Sequence, residues 1–328
     1  MVDVACLIGG SGRSGTTILK QVFLGHPQVA KVPEYRFSID PDGLVDFYSA
    51  CDRGWSPYHY DMRLKRLEAL LRAVGRHRRI ARIGAYMQQR YNLQKFGLPN
   101  LVPRYAGVAF ERYCPDFLAL VERLINSLRE FSYRGQWNGS RCLVRSAMYF
   151  SGETEHNELA LALGDFWRAV INSVCLHQRR QHFVEDNTWN ILWFDKVREL
   201  LPQARLVHVL RDPRDVIASY TRMRWAPSDP LQAMRWYKAI IGRWFRLKPS
   251  LDRESYREVR LEDLVREPER TLREICIWWG IPWDSSLLET DLGRSHSGRW
   301  KRDFSAATGA TLSAELADEL REMGYERE

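Results

Sequence analysis

The stretch that most constrains the fold of this 328-residue chain lies near its start, where a short apolar run meets a glycine-rich segment. Residues 4–8 (VACLI) are apolar and partly β-branched, which is typical of a buried parallel strand. From Thr16 onward apolar residues recur at helical spacing. The intervening glycines let the backbone turn tightly and approach a ligand closely. Because the first N–H groups of a helix attract negative oxygens, the sequence predicts a phosphate-type anion site here.

The glycine-rich loop departs from the usual nucleotide-triphosphate pattern in an informative way. It matches G-x-x-x-x-G-K-[ST] from Gly10 to Gly15, but Thr16 stands where the lysine is expected. That lysine normally reaches the β- and γ-phosphates, so its absence argues against an ordinary kinase or ATPase. It favours a loop that holds a different 5′-anhydride. On this stretch alone, a purely structural turn stays open.

Composition and charge describe a globular chain, with 45% hydrophobic and 27% charged residues. The net charge of +8 suits anionic ligands, although the basic residues are mostly arginines spread along the chain, so compositional bias explains them equally well.

The apolar run that ends at Ile8 is too short for a signal peptide, and we expect no stretch of the roughly 20 apolar residues that a membrane helix needs. The six cysteines form no C-x-x-C pair, which predicts reduced thiols, a cytoplasmic protein and no metal site.

A carboxylate follows the next β-like run. Residues 28–32 have this character, and they deliver Glu34 about 21 residues after Arg13. A strand that returned beside the first in a parallel sheet would bring Glu34 close to the glycine-rich loop. A solvated loop carboxylate explains Glu34 equally well.

Residues 40–180 differ from the segments on either side. After a turn signal at 40–43, the spacing predicts helices at 61–75, 79–92, 115–131 and 157–178. This region would suit an insert that binds an acceptor, although aromatic residues at helical spacing more often form a core. The basic cluster at 76–79 (RHRR) indicates a solvated helix face rather than a nucleic-acid contact.

Regular α/β character resumes with predicted strands at 182–186 and 205–210. After the second strand, Asp212 has the right chemistry to cap a helix. Arg211 would then lie at the carboxyl end of the strand, with Ser219 about two turns into the helix. This arrangement predicts a second anion site, the alternative being an ion pair between Arg211 and a neighbouring aspartate. Two anion sites on one sheet suggest a nucleotide phosphorylated at two places.

Together these motifs resemble the 3′-phosphoadenosine-5′-phosphosulfate (PAPS)-dependent sulfotransferases. Residues 10–17 resemble that family's 5′-phosphosulfate loop, and residues 206–220 (LVHVLRDPRDVIASY) resemble its 3′-phosphate motif. Residues 259–284 are similar to the family's segment after the next strand, and residues 297–301 (SGRWK) resemble the loop that closes over the nucleotide. The motifs occur in the family's order.

The resemblance implies an α/β, P-loop-like three-layer fold with a central parallel sheet. It implies one domain over residues 1–328 with a mostly helical insert at about 40–180. It further implies in-line transfer of a sulfuryl group from PAPS to an acceptor hydroxyl of a sugar, lipid-linked or secondary-metabolite compound, with 3′-phosphoadenosine-5′-phosphate (PAP) as product and no metal required. Glu34 would be the general base and Arg13 would stabilise charge. The implied donor-binding residues are Gly10, Ser11, Gly12, Arg13, Ser14, Gly15, Thr16, Thr17, Arg211, Ser219, Arg299, Trp300 and Lys301.

Within the family, the N-terminal stretch is most similar to the tyrosylprotein sulfotransferases and their bacterial relatives. That branch also has arginine in the loop and a catalytic glutamate in an E-x-R context, as in residues 34–36 here. Tyrosine O-sulfation of a peptide is therefore a second possible activity. Where the branch has a catalytic lysine, this chain has residues 185–188 (EDNT), so the role of that lysine is unassigned.

Two functions outside sulfuryl transfer stay open on the sequence. One is an ATP-dependent small-molecule kinase with a degenerate phosphate loop, and the missing loop lysine counts against it. The second is a non-catalytic protein that binds a nucleotide or a nucleic acid. The identity of the acceptor and the oligomeric state also stay open.

Overall fold

The computed structural model describes residues 5–35, 37–76, 108–137, 146–293 and 297–325. The described strands are β1 (Ala5–Gly10), β2 (Val29–Ala30), β3 (Phe131–Gly135), β4 (Ser146–Phe150), β5 (His182–Asp186), β6 (Arg205–Leu210) and β7 (Tyr256–Arg260). The described helices are α1 (Thr16–Gly25), α2 (Leu44–Asp52), α3 (Pro57–Gly75), α4 (Phe117–Ser127), α5 (His156–Gln178), α6 (Asn190–Leu200), α7 (Pro213–Tyr220), α8 (Pro230–Leu247), α9 (Leu261–Arg266), α10 (Pro268–Trp279), α11 (Trp300–Asp303), α12 (Ala306–Glu315) and α13 (Ala317–Glu322).

The chain divides into two compact units. The first unit comprises residues 1–2, 31–181 and 196–202, and the second comprises residues 3–30, 182–195 and 203–328. The organisation expected from the sequence, a single domain with an insert at about 40–180, stays a prediction.

The second unit contains a five-stranded parallel sheet in the order β2-β5-β1-β6-β7. The central strand β1 is buried at every residue, which explains its apolar sequence, because strands covered on both faces cannot alternate polar and apolar residues. Ile8 is paired with Asp186 of β5, and Gly10 with Val209 of β6. The carboxyl ends of β5, β1 and β6 therefore lie side by side at one edge of the sheet.

Helices cover both faces of this sheet. Val207 and Val209 belong to a buried apolar cluster that includes residues of α1, α9 and α10. His208 lies between them in sequence, and its ring centroid is 4.8 Å from that of Trp244 on α8. Because successive residues of a strand point to opposite faces, α8 packs on the face opposite α1 and α10. The predicted α/β fold with a central parallel sheet is confirmed.

The first unit is mostly helical and has an aromatic core. Phe37 lies between Tyr35, Phe110 and Phe117, at ring-centroid distances of 4.5, 5.8 and 5.6 Å. Helix α3 begins earlier than expected because the hydroxyl of Ser56 caps it by accepting the N–H of His59 at 3.1 Å. The predicted helix at 79–92 and most of the basic cluster at 76–79 lie outside the described residues.

This unit also contains a β-hairpin that the sequence analysis missed. Strands β3 and β4 pair antiparallel, with Tyr133 opposite Met148. The fully buried carboxylate of Asp61 on α3 anchors the hairpin by accepting the N–H of Tyr149 at 2.8 Å and the indole N–H of Trp137 at 2.9 Å. These tertiary bonds, rather than a strong local strand pattern, fix the hairpin.

Helix α5 is long and apolar enough to span a membrane, judged by length and composition alone. Its 23 residues contain an 18-residue window with a mean hydropathy of 1.4, of which 50% is buried inside the fold. This one helix does not amount to a clear membrane span, so it does not overturn the expectation that the chain lacks a membrane-spanning segment. A single such helix is weak evidence for a span, because a core helix passes the same test. Among the described residues it is the one helix that does so.

Among the described cysteines, Cys6, Cys51, Cys114 and Cys276 are free thiols, and Cys175 is buried. Burial raises the pKa of Cys51 and Cys276 to about 11, and that of Cys114 and Cys175 to about 12. These thiols therefore stay protonated at neutral pH and are poor nucleophiles. Cys142 lies outside the described residues.

Candidate active site

The segment between β1 and α1 forms a tight loop at the carboxyl edge of the sheet. Gly12, Arg13 and Gly15 adopt positive φ angles of 81°, 59° and 107°. A Cβ at Gly15 would also lie 2.8 Å from Cδ1 of Leu261, so a larger residue would displace that side chain. No side chain caps α1 at Gly15, so the N–H groups of its first turn are left for an external acceptor.

The hydroxyl groups of this loop differ in their surroundings. Ser14 is 1% exposed, and its hydroxyl has no hydrogen-bond partner among the described residues. Ser11 and Thr16 are buried, whereas Thr17 is exposed. Leaving a buried hydroxyl unpaired costs roughly 1–3 kcal/mol. A ligand with acceptor oxygens, such as a phosphate or sulfonate, fits this site because it would accept that bond.

Hydrogen bonds join the loop to the second predicted anion site. Nε of Arg13 donates to Oγ of Ser219 at 2.9 Å, and a guanidinium nitrogen of Arg211 donates to the carbonyl oxygen of Arg13 at 3.1 Å. Arg13 is exposed, whereas Arg211 and Ser219 are buried. Two segments about 200 residues apart in sequence thus meet at the carboxyl ends of β1 and β6.

Arg211 is buried among charges of both signs. Burial lowers the pKa of Arg211, as do the charges of Arg299 and Arg13, whereas Asp215 and Glu262 raise it. The distance from Arg211 to the carboxylate of Asp215 is long, at 3.8 Å. An arginine remains protonated in proteins, so the site presents a buried positive charge to an anion.

Asp212 caps helix α7, as the sequence predicts. Its Oδ1 accepts the N–H of Arg214 at 2.8 Å, and Pro213 occupies the first helical position. The Asp212 carboxylate also pairs with the Arg214 guanidinium at 2.8 Å. Asp212 is thus engaged with Arg214, and the neighbouring aspartate that pairs with Arg211 is Asp215, at the long distance of 3.8 Å.

Asp215 connects the second anion site to the segment at 297–301. Its carboxylate accepts the N–H of Gly298 at 2.7 Å and the N–H of Trp300 at 3.0 Å. Burial raises the pKa of Asp215, and the two backbone bonds and Arg211 offset this only in part. The sequence analysis missed this residue, although its position in the first turn of α7, four residues after Arg211, gave a signal.

The three candidate residues of the 297–301 segment have different surroundings. The guanidinium of Arg299 pairs with Asp303 at 2.8 Å, and its charge acts on Arg211. Trp300 is buried, with the guanidinium carbon of Arg214 4.3 Å from its ring centroid. Lys301 is exposed. The structure therefore brings Arg299 near the anion site and places Trp300 in a packing position.

Tyr220 also holds the loop and was missed by the sequence analysis. This fully buried side chain lies at the end of α7, and its hydroxyl donates to the carbonyl oxygen of Ser11. Burial raises the pKa of Tyr220, so its hydroxyl keeps the proton that it donates. Its position directly after Ser219 in the motif was the available signal.

Glu34 lies in the first unit, in the segment that follows β2, and its side chain is exposed. Arg36, the third residue of the E-x-R context, lies outside the described residues. The role of Glu34 as general base stays a prediction.

Residues 185–188 contact the loop and α1. The carbonyl oxygen of Thr188 accepts the N–H of Gly10 at 2.9 Å. Asp186 forms a buried ion pair with Lys20 of α1. The sequence analysis did not single out Lys20, and its lone position on an apolar helix gave no pattern to identify it.

The fold and this loop define an α/β protein with a glycine-rich turn at the carboxyl edge of a parallel sheet. A family model described as the sulfotransferase family matches residues 6–285. The chain therefore belongs to the sulfotransferase family. Its assignment to the tyrosylprotein branch stays a prediction.

Individual relatives are distant. An uncharacterized protein from Aquifex aeolicus (strain VF5) is 23% identical over 167 residues, which is 45% of this chain and 21% of that protein. The chain thus spans about a fifth of the length of this curated relative.

Two solved structures are similar over most of the chain. The sulfotransferase domain from the curacin biosynthetic pathway is 13% identical with a TM-score of 0.50, covering 95% of this chain and 97% of that domain. The sulfotransferase domain from the Synechococcus PCC 7002 olefin synthase is 20% identical with a TM-score of 0.47, covering 97% of this chain and 87% of that domain. At such identities, the likeness to the curacin domain concerns the fold alone.

Proposed function

We propose that this chain transfers a sulfuryl group from PAPS to an acceptor hydroxyl. The observation that carries the proposal is the cluster of Arg13, Ser219 and Arg211, joined by hydrogen bonds of 2.9 and 3.1 Å. It supports a ligand with negative charge at two places, because a loop suited to one anion and a buried arginine suited to another lie in one bonded cluster. PAPS carries a 5′-phosphosulfate and a 3′-phosphate.

The donor would be held by residues from three segments. The loop at 10–17 would hold the 5′-phosphosulfate, with the uncapped start of α1 and the unpaired hydroxyl of Ser14 as donors. Arg211 and Ser219 would hold the 3′-phosphate. Arg299, Trp300 and Lys301 would close over the nucleotide. PAPS supplies the activated sulfuryl group, and the scheme assigns no role to a metal ion.

Charge stabilisation and proton transfer would be divided between two residues. The exposed guanidinium of Arg13 would stabilise the negative charge that develops on the phosphate and sulfonate oxygens in the transition state. Glu34 would accept the proton of the acceptor hydroxyl as its oxygen bonds to sulfur. Positioning of the reactants and charge stabilisation would supply most of the catalysis, by analogy with in-line phosphoryl transfer.

A transfer assay tests this proposal. The purified chain is incubated with PAPS that carries radiolabelled sulfate and with a panel of sugars, phenols, aliphatic alcohols and a tyrosine-containing acidic peptide. We expect labelled product with at least one acceptor class, together with release of PAP. Transfer of the γ-phosphate of ATP in the presence of Mg²⁺, without any sulfate transfer, would instead support the kinase.

Tyrosine O-sulfation is the second candidate, favoured by the E-x-R context at residues 34–36. Label on the peptide alone would select it.

We also propose the single-domain organisation with an acceptor-binding insert at about 40–180. The cytoplasmic location drawn from the cysteine pattern stays a prediction.

A further inference from the structure

One edge of the parallel sheet, strand β7, lies in a groove of the second unit to which no role has been assigned. β7 pairs with β6 along one side, and among the described residues no strand pairs with its other side. The groove has a volume of about 920 Å³, and the four consecutive residues 257–260 line it. Successive residues of a strand point to opposite faces, so a cavity that touches four residues in a row follows the edge of the strand rather than one face.

We call this cavity the edge groove: residues 257–260 of β7 form its floor, and residues of α9, of α10 and of the segment 321–324 form its walls. The five residues of β7 span about 17 Å, which is the length of one short extended segment. In the described part of the chain, the backbone of residues 257–259 forms hydrogen bonds only in the pairing with β6. Alternate N–H and C=O groups therefore point into the groove, and such unpaired groups are a template for a further strand.

The floor of the edge groove carries two positive charges. Arg257 is exposed, and its guanidinium carbon lies 5.9 Å from the ring centroid of Trp278. The guanidinium carbon of Arg260 lies 5.1 Å from the ring centroid of Tyr325. Among the described residues, neither arginine forms an ion pair with a carboxylate. Because the two arginines are three positions apart in a strand, they point to opposite faces of β7, one on each side of the edge.

The acidic side chains of the groove already have basic neighbours. Glu258 lies 2.7 Å and Glu322 lies 3.4 Å from Nζ of Lys248. Three arginines of the walls pair with acidic residues three positions earlier in the sequence: Arg266, Arg270 and Arg321. These pairs are exposed, and exposed ion pairs contribute little to stability, so an incoming carboxylate can replace the acidic partner. Arg257 and Arg260 need no such exchange.

We propose that the edge groove binds an extended acidic segment of a partner protein, which adds to the sheet as a further strand beside β7. The backbone of the segment bonds to the outward N–H and C=O groups of β7, as in other cases of strand addition. Side chains of an extended segment alternate between its two faces, so carboxylates on both faces reach Arg257 and Arg260. This inference goes beyond the proposed sulfuryl transfer and does not depend on it.

The same charges disfavour a second copy of this chain as the occupant. Antiparallel pairing of two β7 edges would bring Arg257 and Arg260 of one copy close to the same residues of the other. Like charges on facing strands are destabilising, and charged side chains on an edge strand are a common protection against such pairing. An acidic segment meets attraction where a second copy meets repulsion.

Hydrogen exchange of the full chain tests where the segment binds. The probe is the acetylated and amidated peptide Glu-Glu-Thr-Val-Thr-Glu-Glu, which carries carboxylates on both faces when extended. We expect a saturating amount of this peptide to slow exchange of the amides at 257–259 several-fold. The amides of β2, the strand at the opposite edge of the sheet, are the internal control and should exchange as before. The same peptide with lysine in place of glutamate should protect neither strand.

Methylation of the probe distinguishes strand addition from charge attraction alone. A peptide methylated at every second backbone nitrogen keeps one edge of N–H groups, whereas a peptide methylated at every backbone nitrogen keeps none. Both retain all four carboxylates. We expect saturable binding of the first peptide and loss of binding of the second, measured by fluorescence anisotropy.

A charge reversal tests the floor of the groove. Arg257→Glu should raise the Kd of the acidic peptide about 3- to 30-fold, because replacing an attraction by a repulsion has roughly twice the effect of losing one exposed ion pair. Arg273→Glu, on α10 but outside the groove, is the matched control and should leave this Kd within about 2-fold of the wild-type value. The thermal transitions of both variants check that they fold.

Three results would overturn the proposal. Protection of residues 257–259 that grows with protein concentration in the absence of peptide would assign the edge to a second copy of this chain. Equal binding of the fully methylated peptide would show charge attraction without strand addition. An unchanged Kd in Arg257→Glu would show that the acidic peptide does not bind in the edge groove.

Discussion

Nζ of Lys20 lies 2.5 Å from Oδ1 of Asp186, and both side chains are buried, with exposed fractions of 7% and 8%. Lys20 is on α1, one turn after Thr16, and Asp186 ends β5, directly beside Ile8 of β1. Helical side chains tilt toward the helix N-terminus, so the lysine extends back toward the carboxyl edge of the sheet. The pair thus connects α1 to the edge that carries the glycine-rich loop.

Breaking this pair should destabilise the fold. Lys20→Met should lower the free energy of unfolding by about 3–5 kcal/mol, because it leaves the Asp186 carboxylate buried without its cation. The double variant Lys20→Met/Asp186→Leu should recover most of that loss, since apolar pairs often replace buried ion pairs at little cost. Urea denaturation measures both.

The control for this prediction is Arg321→Met, which removes an exposed pair with Asp318 and should change stability by less than about 1 kcal/mol. A loss in Lys20→Met no larger than in this control would contradict the account.

Glu258 on the edge strand β7 should make stability depend on pH. Its carboxylate accepts the indole N–H of Trp244 at 2.8 Å, lies 2.7 Å from Nζ of Lys248 and 3.4 Å from Nδ1 of His208. Burial by itself would raise the pKa of Glu258, but the bonds and charges of His208, Lys248 and Trp244 outweigh it and hold the pKa at about 2 instead of 4.5.

A carboxylate with a lowered pKa in the folded state stabilises the fold above its unfolded pKa. This contribution is present above pH 4.5 and is lost as the pH falls toward about 2. Each tenfold change in proton affinity is worth about 1.4 kcal/mol, so protonation of Glu258 should lower the free energy of unfolding by roughly 3 kcal/mol. Urea denaturation of the wild type and Glu258→Gln across this range should show a steeper acid loss in the wild type. If the stability of the wild type and of Glu258→Gln fell equally with pH, Glu258 would not be the cause of the acid loss.

Asp215 should control the order of the 297–301 segment. Asp215→Asn replaces one of two acceptor oxygens with a donor, so the N–H of either Gly298 or Trp300 loses its bond. We expect trypsin to cleave after Arg299 and Lys301 several-fold faster in this variant, and PAP to slow the cleavage. Asp318→Asn, at a highly exposed position, is the control and should be cleaved as the wild type is. Equal cleavage rates would show that Asp215 does not hold this segment.

Glu34 should be required for turnover but not for nucleotide binding. Glu34→Gln removes the proposed base while keeping its size, and should lower kcat for sulfuryl transfer about 10²- to 10⁴-fold. The Kd for PAP should stay unchanged. Glu122→Gln, an exposed substitution on α4, is the matched control. Full activity in Glu34→Gln would exclude Glu34 from the mechanism.

Much of the second unit could be predicted from sequence because its signals are local. A capping aspartate followed by proline starts α7 at the expected residue, and apolar runs bounded by polar residues define β5 and β6. The Lys20–Asp186 and Asp215–Gly298 contacts could not be predicted, because they join residues 166 and 83 positions apart through parallel pairing and loop closure.

The β3–β4 hairpin escaped prediction for a related reason. Its strands are largely exposed, so neither carries a clear buried face, and Asp61 of another element supplies the anchoring bonds. Local sequence patterns therefore identified the main strands of the sheet and the cap of α7. The buried polar contacts between distant segments could be found only from the structure.

The most direct test of the central claim is a calorimetric titration of the purified chain with PAP, with ATP–Mg²⁺ as the comparison. We predict micromolar binding of PAP and much weaker binding of ATP, because Arg211 and Ser219 would hold the 3′-phosphate that ATP lacks. Arg211→Ala should weaken PAP binding about 10- to 100-fold, the loss expected for a charged hydrogen bond, whereas Arg270→Ala at an exposed position should not. A preference for ATP would contradict the sulfotransferase account.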